Sequence, residues 1–194
     1  MNKKGFTLIE LLIVVAIIAI LAAIAIPNFL AAQTRAKISR AKGELQTLAT
    51  ALESYYVDNN VWPQDGTETW TTQAYYWYMP NQVTTPIAYI SSNLLKDPFR
   101  GTINPGNDPL TTRYRYSNTG EGILGRSANK AIYQRAFGGW RIVSLGPDKG
   151  YTPDADGKGT PYGLWDITIA YDPSNGTVSN GDIIRSQAHT NNYE

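Results

Sequence analysis

The run from Leu11 to Ile26 holds only Leu, Ile, Val and Ala, and it limits what this chain can become more than any other feature. From Phe6 to Ile26 there are roughly 20 residues, about enough for a helix to cross a hydrocarbon core of ~30 Å. Glu10 interrupts the apolar character near its start. A lone ionised carboxylate in a membrane helix costs ~2.5–3.5 kcal/mol at the centre and less near an end, so such a residue usually has a partner and a role. A secretory signal peptide has a basic start, a short apolar centre and a small-residue cleavage site. Lys3, Lys4 and Ala22-Ala23 imitate its ends, but the run is long and Glu10 sits where the core should be purely apolar. A plain anchor is a second reading. Lys3 and Lys4 precede the run while Arg35, Lys37, Arg40 and Lys42 follow it, so charge alone leaves its orientation open.

The helical period continues beyond the run. Leu30, Ile38, Ala41, Leu45, Leu48, Leu52 and Tyr55 recur at steps of three and four, which predicts one apolar face, with charged and polar residues between them. One helix from about Thr7 to about Tyr56 is expected, ~75 Å long at ~1.5 Å per residue. Pro27 lies inside it, and its missing N–H and ring clash predict a kink or local melting near Ala23 rather than a stop. "VDNNVWPQDG" supplies the turn residues that end the helix.

Past Asn60 the composition turns to Gly, Pro, Asn, Asp, Thr and aromatics. "TTPIAYISSNLLKDPF" reads as a short segment with helical character, stopped at Asp97-Pro98. Strands are expected in "TRYRYSN", "KAIYQRAF", "WRIVSLG" and "LWDITIAYD", with a further short one in "GTVSNGDIIR". A few successive strands predict a small antiparallel sheet packed on the apolar stripe of the helix, an α+β fold. The cluster Tyr75, Tyr76, Trp77 and Tyr78 has no Lys or Arg among it, so packing is favoured over nucleic-acid stacking.

Other chemistry is narrowed by what the chain holds. Acids and bases nearly balance at a formal +1, which points to no polyanionic partner. No cysteine is present, excluding disulfides, thiolate metal sites and cysteine nucleophiles. With His189 as the one histidine, a histidine-centred triad or multi-histidine metal site is disfavoured. "DADGKG" imitates the start of an EF-hand loop but has Lys158 and Trp165 where an oxygen ligand and Glu are required. "GEGILG" fits G-x-G-x-x-G without a βαβ context. No nucleophile–base set can be nominated, so no enzyme is expected.

The stretch "KKGFTLIELL" resembles the processing site of type IV prepilins and type II secretion pseudopilins: a basic leader ending in Gly5, then Phe6, Thr7, Leu8, Ile9, Glu10 and an apolar run. The resemblance implies that a prepilin peptidase cuts between Gly5 and Phe6 and that Phe6 is N-methylated. It implies further that Glu10 of one subunit neutralises the new Phe6 amine of the next. A type IV pilin-like layout follows: residues 1–5 a leader, 6–29 a transmembrane and polymerisation helix, 30–56 its amphipathic continuation, and 57–194 a periplasmic head. In "LLKDPF", "SLGPDKG" and "NGDI" the head resembles the major pseudopilin of type II secretion, the general secretion pathway protein G family. By that resemblance Asp148 and Asp182 supply carboxylates and Leu145 a carbonyl to a bound calcium ion, a donor set suited to that hard cation. The sequence departs from the pattern in a long stretch between Asp148 and Asp182, where Asp154, Asp156, Asp166 and Asp172 are further candidate ligands and equally ordinary turn formers.

The resemblance therefore implies a single-pass inner-membrane protein that polymerises into a homo-oligomeric pseudopilus. Its implied partners are minor pseudopilins, the prepilin peptidase and the inner-membrane assembly platform. A type IV pilin serving adhesion, motility or DNA uptake is the alternative, and a periplasmic binding or catalytic domain on a pilin-like anchor is a third.

Overall fold

The computed structural model describes residues 5–64, 79–92, 95–100, 112–120, 130–148, 171–172, 174 and 181–188. Helix α1 spans Leu8–Asn59 and contains Pro27 in its interior. The chain divides into two compact units, Met1–Ala36 and Lys37–Glu194.

In the first unit every large apolar side chain from Phe6 to Leu30 is exposed. A helix apolar all round and uncovered by its own chain suits lipid or other copies of itself better than water. By length and composition α1 is apolar enough to cross a membrane.

In the second unit α1 behaves differently. Ile38, Ala41, Leu45, Leu48, Ala49 and Leu52 are buried in the main core, at the three- and four-residue steps that place them on one face. The helix ends where Asn60 takes a left-handed φ of 55° and its N–H bonds to the Tyr56 carbonyl at 2.7 Å. Asparagine is one of the few side chains that tolerates this cap.

Three strands form one antiparallel sheet in the order β1-β2-β3: β1 Arg115–Asn118, β2 Trp140–Ser144 and β3 Ile183–Ser186. Arg115 pairs with Val143 and Ser144 with Ile183, so the three strands stay in simple register. Side chains alternate across them. Tyr116, Trp140, Ile142 and Ile183, with Tyr114 just before β1, join the α1 stripe in the main core. Val143 and Ile184 point to the other face, where Tyr133 and Phe137 cover them. All five residues of β2 are buried because both faces are occupied.

The cover on that second face corrects a sequence expectation. "KAIYQRAF" is helix α2, Lys130–Phe137, rather than a strand. Its β-branched and aromatic content suits either state, and a run this short is ambiguous by period. Tyr133 and Phe137 stand four apart on one helical face, and Gly138 at φ 77° closes the helix by donating to the Gln134 carbonyl at 2.9 Å. Arg141, 2% exposed, lies beneath with its guanidinium carbon 5.0 Å from the Phe137 ring centre. The neighbours Ser117 and Ser186 flank it across the register.

A second correction concerns "TTPIAYISSNLLKDPF". Its described residues form turns rather than a helix, after a 3-10 turn at Asn81–Val83. Pro86 removes a donor, and the Tyr89 and Ile90 N–H groups both turn back to the Val83 carbonyl. The aromatic run Tyr75–Tyr78, residues 164–170 of the expected strand "LWDITIAYD", and Asp154, Asp156 and Asp166 lie outside the described residues, while Tyr171 and Asp172 at the end of that stretch are not in a strand.

Candidate functional site

Two places hold the residues singled out by sequence. The first is the start of α1. The Thr7 backbone N–H and hydroxyl both donate to Glu10 Oε2, at 2.9 and 2.7 Å, and the Glu10 N–H donates back to Thr7 Oγ1 at 3.3 Å. This is a capping box, which satisfies amides that a helix start leaves open. Sequence reasoning passed over it although the signal, Thr-x-x-Glu before an apolar run, was in plain view. Gly5 and Phe6 precede the box, and Phe6 is 72% exposed. Pro27 sits inside α1 with no break in the helix.

The second place is the corner where the chain leaves β2 and enters β3. Asp97, 3% exposed, sits beneath it in an Asp-Pro-Phe turn. Its Oδ1 accepts from the Phe99 N–H at 2.9 Å and the Ser144 hydroxyl at 2.8 Å, and its Oδ2 accepts from the Leu145 N–H at 2.9 Å. Burial pushes the Asp97 carboxyl above its usual range, against the opposing pull of these donors and of Arg100. Gly146 follows at φ 70°, and a Cβ there would stand 2.1 Å from the Gly181 carbonyl oxygen. Only glycine fits that turn and that approach.

Asp148 Oδ2 accepts from the Gly181 N–H at 3.2 Å, which brings it beside Asp182. Asp182 is fully buried, and its carbonyl accepts from the Tyr171 N–H at 2.8 Å. Leu145, Asp148 and Asp182 therefore gather at one corner. Asp172, next to Tyr171, instead makes a local turn, accepting from the Ser174 N–H at 2.7 Å. Two carboxylates and backbone carbonyls are donors of the type calcium takes, although it needs about six to eight oxygens. Among the described residues no group of three or more acids or histidines is arranged around a common metal position. These donors are of the kind calcium takes, and a calcium ion at this corner would need backbone carbonyls for most of its ligands.

Two further side chains escaped the sequence reading. Glu44 accepts from the Tyr114 hydroxyl at 2.6 Å and pairs with Arg40 at 2.8 Å. Glu53 accepts from Trp140 Nε1 at 3.0 Å. These acids edge the apolar stripe and tie the helix to Tyr114, just before β1, and to Trp140 of β2, both distant in sequence.

An α1 whose first part is apolar apart from Glu10, and whose later part packs on a small antiparallel sheet, defines a pilin-like α+β subunit. The family model for the prokaryotic N-terminal methylation motif matches residues 1–26, and that for type II secretion system (T2SS), protein G matches residues 28–125. The chain belongs to the type II secretion system protein G family. It is 60% identical over 59 residues to the type IV major pilin protein PilA of Myxococcus xanthus, covering 30% of this chain and 27% of that protein. It is 58% identical over 59 residues to the type IV wide pilus major component PilA4 of Thermus thermophilus, covering 30% and 45%. It is 43% identical over 69 residues to the type II secretion system core protein G of Pseudomonas aeruginosa, covering 34% and 49%. Each match spans less than half of the relative's own length. No solved structure matches the chain. The relatives are pilins and pseudopilins, so this chain is a subunit of pilin or pseudopilin type.

Proposed function

We propose that the chain is a structural subunit of a type II secretion pseudopilus, assembling into a helical filament that helps drive folded proteins across the outer membrane. The observation that carries this reading is the corner at the end of β2. Three segments far apart in sequence, "KDPF", "SLGPD" and "NGDI", meet there through the Asp97 bonds and the Asp148–Gly181 bond. In this reading a prepilin peptidase cleaves between Gly5 and Phe6, Phe6 is N-methylated, and the apolar helix waits in the inner membrane with the head in the periplasm. Glu10 then exchanges part of its capping role for the Phe6 amine of a neighbouring subunit. Leaving either charge unpaired in lipid is costly, so the pair sets the register of the filament. Pro27 is the place where the helix loosens on packing. Minor pseudopilins and the inner-membrane assembly platform are its partners, and the subunit has no catalytic role.

Calcium is part of the same proposal. Asp148, Asp182 and the Leu145 carbonyl hold it, and the ion locks a corner whose flanking sequence is too polar to lock itself by burial.

The type IV pilin reading is favoured by the identity to PilA and PilA4. Deleting the gene in its host separates the two. Periplasmic build-up of normally secreted proteins with unchanged surface pili supports the pseudopilus. Loss of surface pili or DNA uptake with normal secretion overturns it in favour of the pilin.

A further inference from the structure

The geometry points to Asp97 as the positioning residue of the calcium corner, a side chain that holds the Leu145 peptide in place without touching the ion. The inference rests on the calcium reading above. Leu145 offers its carbonyl through the peptide it shares with Gly146, and both sides of that peptide are fixed. On one side the Leu145 N–H is bound to Asp97 Oδ2 at 2.9 Å. On the other, Gly146 is locked at φ 70° with its backbone against the Gly181 carbonyl. Asp97 also binds the Ser144 hydroxyl at 2.8 Å, which anchors the last residue of β2, and the Phe99 N–H at 2.9 Å, which closes its own turn. One buried carboxylate thus spans three segments, and its three donors leave little freedom for it to move.

A carbonyl that is aimed before the ion arrives costs less ordering when it binds. Groups that orient metal ligands from behind typically change affinity by about 10–100-fold when altered. Asp97→Asn keeps the shape but replaces one acceptor by an N–H₂ facing the Leu145 N–H or the Ser144 hydroxyl. The Leu145 peptide is then free to turn away.

The test uses the full chain in detergent micelles, titrated with calcium chloride by calorimetry and melted in EDTA. Labelling leucine carbonyls with ¹³C and glycine nitrogens with ¹⁵N marks the two Leu-Gly peptides, Leu124-Gly125 and Leu145-Gly146. The expected result is wild-type binding of calcium, with about tenfold or greater loss of affinity in Asp97→Asn. The Leu145-Gly146 signal of that variant in EDTA should already be displaced from its wild-type position. A lowered EDTA melting temperature with wild-type calcium affinity makes Asp97 merely structural and overturns the inference. No calcium binding by the wild-type chain overturns the calcium reading itself, and the inference with it. If Asp97→Asn does not fold, Ser144→Ala decides: weakened calcium affinity supports the role, and unchanged affinity overturns it.

Discussion

Placing a methyl group on Gly139 tests how rigidly the head is built around the end of α1. A Cβ there would lie 2.1 Å from Trp62 Nε1 and 2.7 Å from its Cδ1, whereas ordinary contacts lie near ~3.5–4 Å. The indole has little room to retreat. It stacks on Tyr56 at 4.1 Å between ring centres, and it meets Trp140 edge-on at 6.3 Å. Its backbone is held too, since Asn118 Nδ2 donates to the Trp62 carbonyl at 3.4 Å and to the Pro63 carbonyl at 3.1 Å, where the Tyr116 hydroxyl also donates at 2.7 Å. Gly139 is fixed from its own side by the Thr119 N–H at 3.0 Å and by Gln187 Oε1 at 2.6 Å. Overpacking of this kind costs about 1–3 kcal/mol. For a chain of this length that lowers the melting temperature by roughly 2–12 °C, at ~2–4 °C per kcal/mol. Gly139, unlike Gly138, is not in the left-handed region, so strain of the backbone adds nothing. The sign should therefore invert in a Trp62→Ala background, where Gly139→Ala becomes neutral or stabilising by up to ~1 kcal/mol through the unfolded state. Thermal melts followed by far-UV circular dichroism close the cycle. Equal destabilisation in both backgrounds would refute the packing argument.

Leu48, fully buried in the α1 stripe, should cost about 2–5 kcal/mol as Leu48→Ala, measured by urea unfolding. Tyr114→Phe removes the bond to Glu44 and should cost about 1.5–3 kcal/mol at neutral pH. Burial, then Glu44, raises the Tyr114 pKa above its ordinary value, so its stabilisation is intact below about pH 10 and declines as pH rises through the folded value. Melts from neutral to strongly alkaline pH should show that decline in the wild type and a shallower one in Tyr114→Phe. Glu10→Ala should still enter the membrane by carbonate extraction yet give no filaments by electron microscopy, and abundant normal filaments would contradict the charge-pairing proposal.

Sequence legibility followed the range of the interactions. The α1 stripe was readable because Ile38, Ala41, Leu45, Leu48 and Leu52 repeat at the helical period within a few turns. Three strands were readable from their β-branched and aromatic content, whereas α2 was taken for a strand because eight residues cannot separate the two periods. The capping box was legible and missed. Glu44 and Glu53 look like solvated helix residues, because their partners lie 70 and 87 positions away. The segments of the corner were visible through family resemblance, but no local pattern shows that Asp97 reaches Ser144 and Leu145, 47 and 48 residues on.

Asp148, four residues past the end of β2, and Tyr171, further along the chain, are stapled to the same dipeptide, Gly181-Asp182, just before β3. Such a doorway fixes the distance between its two posts whatever number of residues joins them. Doubling that length adds only ~0.6 kcal/mol of closure entropy. Lineages could lengthen or trim this connection while the antiparallel pair of β2 and β3 stays as it is, and an experimenter could splice an epitope or dye-binding tag into it to watch single subunits join a growing fibre.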